Sequence, residues 1–394
     1  MRAEATTQFD HNSTSFIADP YPQYEQLRDE DPVHFSERYG GYFILTRYED
    51  VRKALLDWKL YSSAQPGVTS IPMSVQRDFP EIPLEVDPTE HTEYRGLVTR
   101  FFTRNAISEL EADIRRIAVE LLEPLREARG GDFVQEFALP LVSRVLAVFL
   151  QVPEEDAKRW VKWAKDIFHG RLTDRAQADR ASRDMIAYVD GLVEDRRRSP
   201  GDDLFSALVT SRFQGRPLTQ AELHGFGVLL LNAGQETTVN GIGNSLWYLA
   251  EHSKDRRRLQ EEPGLLPAAV EEFLRFMSPI QLLGRNATQD TTLHGRTIPA
   301  EATVAVCYGS ANRDTRVFPA ADECRIDRHP NPHLAFGAGP HACLGAHLAR
   351  AEMRVALEEI FARMPDYRIG SAAEVKLTPH GDLRGFWRLP VSTP

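Results

Sequence analysis

The sequence predicts a mainly α-helical fold with a minor β part. Apolar residues recur at helical spacing in many long segments, whereas alternating, strand-like segments are short and few. The clearest strands lie between Leu282 and Val306, where Gly284, Gly295 and Pro299 separate small sheet segments. A length of 394 residues favours two or three domains as a first expectation, but no internal repeat or low-complexity linker marks a boundary.

Helical patterns dominate the chain between His91 and Met364, apart from the strand-like segment between Leu282 and Val306 and the irregular one that follows it. Thr219 and Glu222 form a capping box, so the longest helix begins at Thr219. Its pattern continues to Glu251, which at 1.5 Å per residue corresponds to about 50 Å. The last predicted helix is amphipathic. The predicted helices are His91–Phe102, Ile107–Arg129, Phe137–Gln151, Asp156–His169, Ala176–Arg198, Thr219–Glu251, Pro267–Phe276 and Gly345–Met364.

Three other segments have no helical pattern. Gly41 to Tyr48 alternates and is rich in β-formers, which predicts a strand that leads into a helix. Ala64 to Pro88 contains five prolines, so it predicts an extended loop. Asn312 to Pro332 is rich in proline, aspartate and arginine and is predicted to be irregular.

Composition excludes several classes of protein. The net charge of −10 argues against a general binder of nucleic acid or anionic membranes. No apolar run reaches the roughly 18 residues of a membrane helix, and the N-terminus lacks the apolar core of a signal peptide. Cys307, Cys324 and Cys343 form no C-x-x-C pair, which disfavours a disulfide framework or structural zinc site. We therefore expect a cytoplasmic protein.

The segment from Phe336 to Gly345, FGAGPHACLG, has the properties of a ligand-binding loop. Gly337 and Gly339 permit positive φ angles and a close approach of the backbone to a flat ligand. Cys343 stands just before a helix N-terminus, where the helix dipole and free N–H groups favour thiolate over thiol. The alternative is a loop-to-helix junction with a buried, inert cysteine.

This segment resembles the haem-binding signature of the cytochromes P-450, F-x-x-G-x-x-x-C-x-G, and similarity to that family extends over nearly the whole chain. The resemblance is to the bacterial, soluble, class I type. It implies one triangular domain over residues 1–394, with haem b bound and Cys343 as the axial ligand of its iron. Phe336, Gly337, Gly339 and Gly345 would then contact the haem. A zinc site on His341 and Cys343 would lack two further ligands.

Glu272 and Arg275 stand three residues apart, so their side chains meet on one helix face. Alone, such a pair is common and contributes little. It resembles the E-x-x-R motif of the family, which implies a buried structural triad completed by Arg328. Arg313 is the alternative third member.

The stretch AGQETT contains Ala233, Gly234, Glu236 and Thr237 within the longest predicted helix. A threonine there can bond to the carbonyl four residues earlier and distort the helix. Taken alone, the stretch is a polar turn in a core helix. In context it resembles the oxygen-binding groove of the family, with Glu236 and Thr237 as a proton-delivering pair. Such a pair favours activation of O2 with two electrons over a peroxide-driven reaction.

Haem carries two propionates, which require cationic or donor side chains at its edge. His91 and Arg95 lie on one face of a predicted helix. Arg285 and His341 match further positions that hold propionates in the family. Arginine–carboxylate bonds would supply both affinity and orientation.

An apolar substrate pocket is implied only by position relative to these motifs. Gln281 is its candidate polar anchor, and the loop between Ile71 and Ile82 and the turn at Trp387 are further candidates. The apolar residues expected to contact substrate are Leu230, Leu231, Ile280, Leu282, Leu283 and Phe386.

The resemblance implies a monomeric monooxygenase acting on a small to medium apolar compound, by hydroxylation or O-demethylation. Electrons would come from a separate ferredoxin and its NAD(P)H-dependent reductase, which would dock near Arg100, Arg104 and Arg350. The alternatives are a peroxygenase or isomerase of the same fold and a non-catalytic haem sensor, which would not need Glu236 and Thr237.

Overall fold

A computed structural model describes residues 9–72 and 78–394 of the chain. Helix makes up 55% of it and strand 12%, which confirms the predicted mainly α class with a minor β part. The α-helices are α1 (Thr14–Ala18), α2 (Tyr21–Glu30), α3 (Tyr48–Leu56), α4 (Glu90–Val98), α5 (Arg104–Glu109), α6 (Glu111–Glu127), α7 (Leu139–Phe149), α8 (Ala157–Thr173), α9 (Arg175–Arg198), α10 (Leu204–Thr210), α11 (Gln220–Ala233), α12 (Glu236–Glu251), α13 (Ser253–Glu261), α14 (Leu266–Met277), α15 (Tyr308–Ala311) and α16 (Ala346–Arg363).

Among the described residues, the strands form one five-stranded sheet and four smaller ones. They are β1 (Val33–Ser36), β2 (Tyr42–Leu45), β3 (Tyr61–Ser62), β4 (Gly130–Asp132), β5 (Arg212–Phe213), β6 (Arg216–Pro217), β7 (Leu283–Ala287), β8 (Thr291–Leu293), β9 (Arg296–Ile298), β10 (Thr303–Val306), β11 (Arg368–Ile369), β12 (Lys376–Leu377), β13 (Phe386–Arg388) and β14 (Pro390–Ser392). The large sheet has the order β1-β2-β10-β7-β3, and β11-β14-β4 form a second sheet. Within the large sheet, Ala305 of β10 pairs with Ile44 in parallel and with Gly284 in antiparallel register.

The largest buried cluster lies among the helices and includes Ile117 of α6, Phe137, Ile242 of α12 and Ile360 of α16. Helix α16 packs against α5, α6, α12 and α14, so it is enclosed on more than one side. The simple amphipathic pattern predicted for it is therefore wrong, and even Glu352 on this helix is 1% exposed. Because α16 follows the cysteine loop directly, this packing fixes one end of that loop.

The long predicted helix from Thr219 to Glu251 is interrupted after Ala233. The capping box at its start is present, since the Thr219 hydroxyl accepts from the Glu222 N–H. The interruption has a local cause, because polar side chains compete for backbone carbonyls at this point. Gln235 Nε2 donates to the Leu231 carbonyl at 2.5 Å.

Two other helical predictions need correction. Helix α6 is preceded by the separate short helix α5, with Leu110 between them. Residues 133–138 form one π-helical segment ahead of α7. The described residues between Ala64 and Pro88 contain no helix or strand, as predicted, while residues 73–77 lie outside the described part. No helix in the described part of the chain is long and apolar enough to cross a membrane.

Candidate active site

The loop before α16 is held by its own backbone. The Cys343 N–H donates to the Phe336 carbonyl at 2.8 Å, which closes the loop across seven residues. The Ala342 N–H donates to the Gly339 carbonyl at 3.1 Å. Gly337 and Gly339 both have φ of 70°, the left-handed region that the sequence predicted for glycine here. The position of the sulfur is therefore set by short-range backbone contacts.

Gly339 is also required by close packing. A Cβ atom at this position would lie 2.6 Å from the Leu55 carbonyl oxygen of α3. No side chain fits at that distance from the backbone, so the loop approaches α3 more closely than any other residue would allow.

Cys343 is surrounded by protein yet keeps an accessible side chain. Burial raises the pKa of its thiol, while the Gly345 N–H and the charges of Arg95 and Arg350 lower it. The N–H group and positive charges act in the predicted direction, but burial opposes them more strongly. A cation bound at the sulfur would favour the thiolate.

Four of the predicted haem-edge residues come together beside Cys343. The rings of His91 and His341 lie 4.4 Å apart, edge to face. Burial, together with the nearby Arg285, His91 and Arg95, lowers the pKa of His341 to about 3. Burial and then Arg95 lower the pKa of His91 to about 4. The positive field of the two arginines therefore favours an anionic group at this place.

His91 and His341 have nitrogens without protein partners. His91 is 2% exposed, and neither ring nitrogen has a hydrogen-bond partner among residues 9–72 and 78–394. Nε2 of His341 is likewise buried and unpartnered in that part of the chain. Buried donors of this kind are normally satisfied, so they indicate a ligand with acceptor atoms.

Glu272, Arg275 and Arg328 form a buried triad, and Arg313 does not join it. Arg275 donates to both carboxylate oxygens of Glu272 at 2.8 Å, and Arg328 Nε lies 3.0 Å from each oxygen. Arg275 and Glu272 are fully buried. Arg313 instead donates to the Phe276 carbonyl and lies over the Phe276 ring.

The triad also anchors the irregular segment after α15. Arg275 donates to the carbonyls of Asn312 and Ala321, and Arg328 donates to those of Pro319 and Ala320. The two arginines therefore tie residues 312–328, which precede the cysteine loop, to α14.

A neighbouring ion pair was not found from the sequence. Arg350 of α16 donates to both carboxylate oxygens of Glu271, at 2.6 and 2.7 Å. Its guanidinium lies 4.4 Å from the centre of the Phe336 ring. Arg350 thus links the loop to α14, while its part in partner docking stays a prediction. The two residues are 79 positions apart, so no local spacing in the sequence could signal this pair.

The interruption between α11 and α12 carries the predicted oxygen-groove residues. The Thr237 hydroxyl donates to the Ala233 carbonyl at 3.1 Å, the bond to the fourth residue back that the sequence predicted. Ala233 is exposed, whereas the residues next to it in the sequence are partly or fully buried. The following residue, Gly234, has no side chain. Glu236 lines a small cavity on the neighbouring face of α12.

The predicted substrate contacts divide into two groups. Leu230, Ile280 and Leu283 are partly exposed, so their side chains remain available for contact. Leu282 is fully buried beside Ile44 on the other face of the large sheet, so its prediction as a substrate contact is wrong. Adjacent strand residues point to opposite faces, and the sequence could not say which of the two leucines faces the core.

Other predicted contacts are also buried. Gln281 is 1% exposed and donates to the carbonyls of Met277 and Ser278, which excludes it as a polar anchor. Leu231 is fully buried. Ile71 and Ile82, at the ends of the loop, are buried in the core, and residues 73–77 between them lie outside the described residues.

The last predicted substrate contacts are Phe386 and Trp387 near the C-terminus. Phe386 is 4% exposed and, with Trp387, lines the small cavity next to Glu236. It therefore contacts the α12 face that carries the carboxylate.

A family model for Cytochrome P450 matches residues 34–364, which contain every site residue described above except Phe386 and Trp387. The chain belongs to the cytochrome P450 family. It is 39% identical over 388 residues to Cytochrome P450 130 of Mycobacterium tuberculosis, covering 95% of this chain and 94% of that protein. It is 38% identical to a Vitamin D(3) 25-hydroxylase of Pseudonocardia autotrophica, covering 100% and 98%.

A solved structure agrees with this assignment. CYP109E1 from Bacillus megaterium, in complex with testosterone, superimposes with a TM-score of 0.88 at 32% identity and covers 97% of this chain and 99% of that one. The chain is accordingly a P450 monooxygenase, and the predicted haem b and O2 are the cofactor and co-substrate of its family.

The residues of this P450 fit haem b. The accessible Cys343 sulfur, at the end of a glycine loop, offers one thiolate ligand. The positive field of Arg95 and Arg285 and the unpartnered nitrogens of His91 and His341 suit two carboxylates. No group of three or more metal-binding side chains occurs within the described residues, where a zinc site would need one.

Proposed function

We propose that this P450 inserts one oxygen atom from O2 into a small to medium apolar substrate, by hydroxylation or O-demethylation. The observation that carries the proposal is the placement of Glu236 and Thr237 directly after the helix interruption, next to exposed Ala233. A carboxyl group that can donate a proton stands next to an alcohol whose oxygen can accept one, and such a pair suits proton delivery to dioxygen. A sensor without catalysis, or an enzyme driven by peroxide, needs no such pair.

The haem, when bound, supplies the redox chemistry, with its reactivity raised by electron donation from the thiolate. Cys343 would hold the iron, while Arg95 and Arg285 would hold the propionates with His91 and His341. The chain itself performs the acid–base part. Because the Thr237 hydroxyl uses its proton on the Ala233 carbonyl, its lone pairs stay available to accept from a proton donor.

The proposed substrate class rests on the apolar side chains near the site and on the names of related proteins. Leu230, Ile280 and Leu283 remain partly exposed and carry no charge. The related hydroxylase is named for vitamin D(3), and the neighbouring structure contains testosterone. These observations support a polycyclic, largely hydrocarbon substrate, which would bind chiefly through burial of apolar surface.

The electron donor is proposed to be a separate ferredoxin with an NAD(P)H-dependent reductase. Arg95 of α4 interacts electrostatically with Cys343, and α5 packs against α16, which begins just after the cysteine. Arg100 and Arg104, between these elements, are exposed and form no ion pair with any residue in the described ranges. Such arginines would attract an acidic partner to the cysteine side.

A spectral screen of the ferric protein tests the proposal. Testosterone, vitamin D3 and hexadec-9-enoic acid would be titrated separately, with glucose as a hydrophilic control. We expect at least one apolar compound to shift the Soret band and to become a product carrying 18O from 18O2. Cys343→Ser should lose the red-shifted Soret band that thiolate ligation gives to the carbon monoxide complex. Product oxygen derived only from added peroxide would contradict the proposal.

A further inference from the structure

Helix α12 carries three polar side chains at every fourth position, Glu236, Asn240 and Asn244, which therefore share one face. Asn244 Nδ2 donates to the Arg384 carbonyl at 3.0 Å. Asn240 is 1% exposed, and neither its Oδ1 nor its Nδ2 has a hydrogen-bond partner within residues 9–72 and 78–394. Buried amides are almost always satisfied, so Asn240 points to a bound molecule.

Backbone packing holds this amide in place. A Cβ atom on Gly385 would lie 2.0 Å from Asn240 Oδ1, so only glycine permits the contact. The C-terminal turn thus presses against one side of the amide. The amide oxygen already lies against that turn and finds no hydrogen-bond partner there.

Asn240 also lines a small cavity of about 30 Å³. A water molecule needs about 10–15 Å³ of such volume, so the cavity has room for one or two waters. The polar residues that line it are Asn240 and Glu236, on one face of α12, together with Gln135, Lys165 and Thr378. The cavity is lined by Val134, Gln135, Leu139, Lys165, Glu236, Val239, Asn240, Thr378, Phe386 and Trp387.

The other polar end of the cavity lies toward solvent. Lys165 of α8 is only partly buried, and its Nζ donates to Gln135 Oε1 at 2.6 Å. Gln135 Nε2 donates to the Trp387 carbonyl at 2.7 Å. Polar groups therefore line the route from a surface lysine to the carboxylate of Glu236.

We propose that Asn240 orients water in this cavity so that the water resupplies protons to Glu236. The inference rests on the proposed role of Glu236 as a proton donor. For each proton that Glu236 releases toward the active site, a cavity water transfers one to its carboxylate and regains one from solvent near Lys165. Asn240 does not titrate, but its amide donates to and accepts from water at once, which makes it a positioning residue.

The first test is structural and independent of turnover. A high-resolution crystal structure of the haem-loaded protein should show ordered water within hydrogen-bond distance of Asn240. Asn240→Leu, which keeps the approximate shape of the side chain but removes both polar atoms, should lose that water. The matched control is Asn244→Leu, one turn further along the same face, which should retain it because Asn244 does not line the cavity.

The second test measures proton supply without substrate or partner protein. Oxygen uptake would be driven by photoreduced deazaflavin in H2O and D2O. We expect Asn240→Leu to slow uptake about tenfold and to raise the solvent isotope effect, with an unchanged carbon monoxide spectrum. Asn240→Ser, which restores a donor and an acceptor, should recover most of the rate. Asn244→Leu should behave as the unmodified protein.

Each outcome decides the inference. Absence of ordered water beside Asn240 overturns it, and so does a wild-type rate and isotope effect in Asn240→Leu. If Asn240→Leu does not fold, the crystallographic water and the Asn240→Ser rate decide. Failure of the substrate screen would count against the proposed function alone, because neither test here uses a substrate.

Discussion

At the residue scale, Thr237 shows how one hydrogen bond assigns a role. Its hydroxyl proton is used by the Ala233 carbonyl, so the oxygen presents lone pairs rather than a proton. Its neighbour Thr238 is 6% exposed and belongs to the packed face of α12. Two adjacent threonines of identical chemistry therefore have different surroundings.

We expect Thr237→Ala to keep its haem and its substrate-induced spectral shift but to lose coupling. Without the hydroxyl, proton delivery is misdirected, so product formation should fall about 10- to 100-fold while hydrogen peroxide release rises. The ratio of product to NADH consumed measures this effect. Thr238→Ala is the matched control and should stay coupled; equal coupling in both variants would remove Thr237 from the mechanism.

At the scale of elements, buried ion pairs join segments that are distant in sequence. Arg328 reaches across from the irregular segment to Glu272 on α14, and both side chains are almost fully buried. Removing Arg328 takes away one of the two cations that balance Glu272 and leaves the carbonyls of Pro319 and Ala320 without this donor. Such a loss is much larger than the loss of an exposed pair.

Arg328→Met should lower the free energy of unfolding by about 3–5 kcal/mol and weaken haem retention, because it leaves Glu272 short of a partner. Urea denaturation followed by circular dichroism measures the first effect, and haem transfer to apomyoglobin the second. The control is Arg325→Ala, whose side chain forms an exposed pair with Glu323 and should change stability by less than about 0.5 kcal/mol. If the two variants had equal free energies of unfolding, the triad would not stabilise the fold as predicted.

A second buried carboxylate joins the β5–β6 hairpin to two helices. Glu222 at the start of α11 accepts hydrogen bonds from Arg216 at 2.7 Å and from Tyr94 of α4 at 2.5 Å. Burial alone would raise the pKa of Glu222, but bonds from Arg216, Tyr94 and Thr219 outweigh it and lower the pKa to about 2. A lowered pKa means that the folded state favours the ionised form.

The contribution of Glu222 to stability is therefore complete above the unfolded pKa of about 4.3 and is lost as the pH falls toward 2. We expect Glu222→Gln to lower the free energy of unfolding by about 2 kcal/mol at pH 7. The difference from the unmodified protein should shrink between about pH 4.5 and pH 2. Urea titrations at several pH values measure it, with exposed Glu251→Gln as control. A difference independent of pH would contradict this assignment.

At the scale of the whole molecule, the balance of charge opposes an acidic partner while a local group of arginines attracts it. The chain has a net charge of −10, yet Arg100 and Arg104 are exposed next to the elements that surround Cys343. Steering depends on the local field, which salt screens over about 10 Å at 0.1 M.

Arg100→Glu combined with Arg104→Glu should raise the KM for an acidic ferredoxin about tenfold at low salt, with smaller effect at high salt. The carbon monoxide spectrum and substrate affinity should not change. Arg257→Glu on α13 is the control for the change of charge. Salt-independent kinetics in the double variant would remove these arginines from the docking surface.

The sequence by itself determined the features that depend on neighbours along the chain. The glycine loop before α16, the capping box at Thr219 and the Thr237 bond to Ala233 all involve residues within a few positions of one another. The E-x-x-R pair likewise lies within one helical turn. Such contacts follow from local backbone geometry, so residue types at fixed spacing predict them.

The tertiary structure alone decided the features that depend on packing between distant segments. It placed Leu282 in the core, paired Arg350 with Glu271, and packed Gly385 against Asn240 beside a cavity. Side chains of the same chemistry can point to either face of a strand or helix, and only the three-dimensional packing selects the face. Burial then decides which polar groups are satisfied by protein and which need water or a ligand.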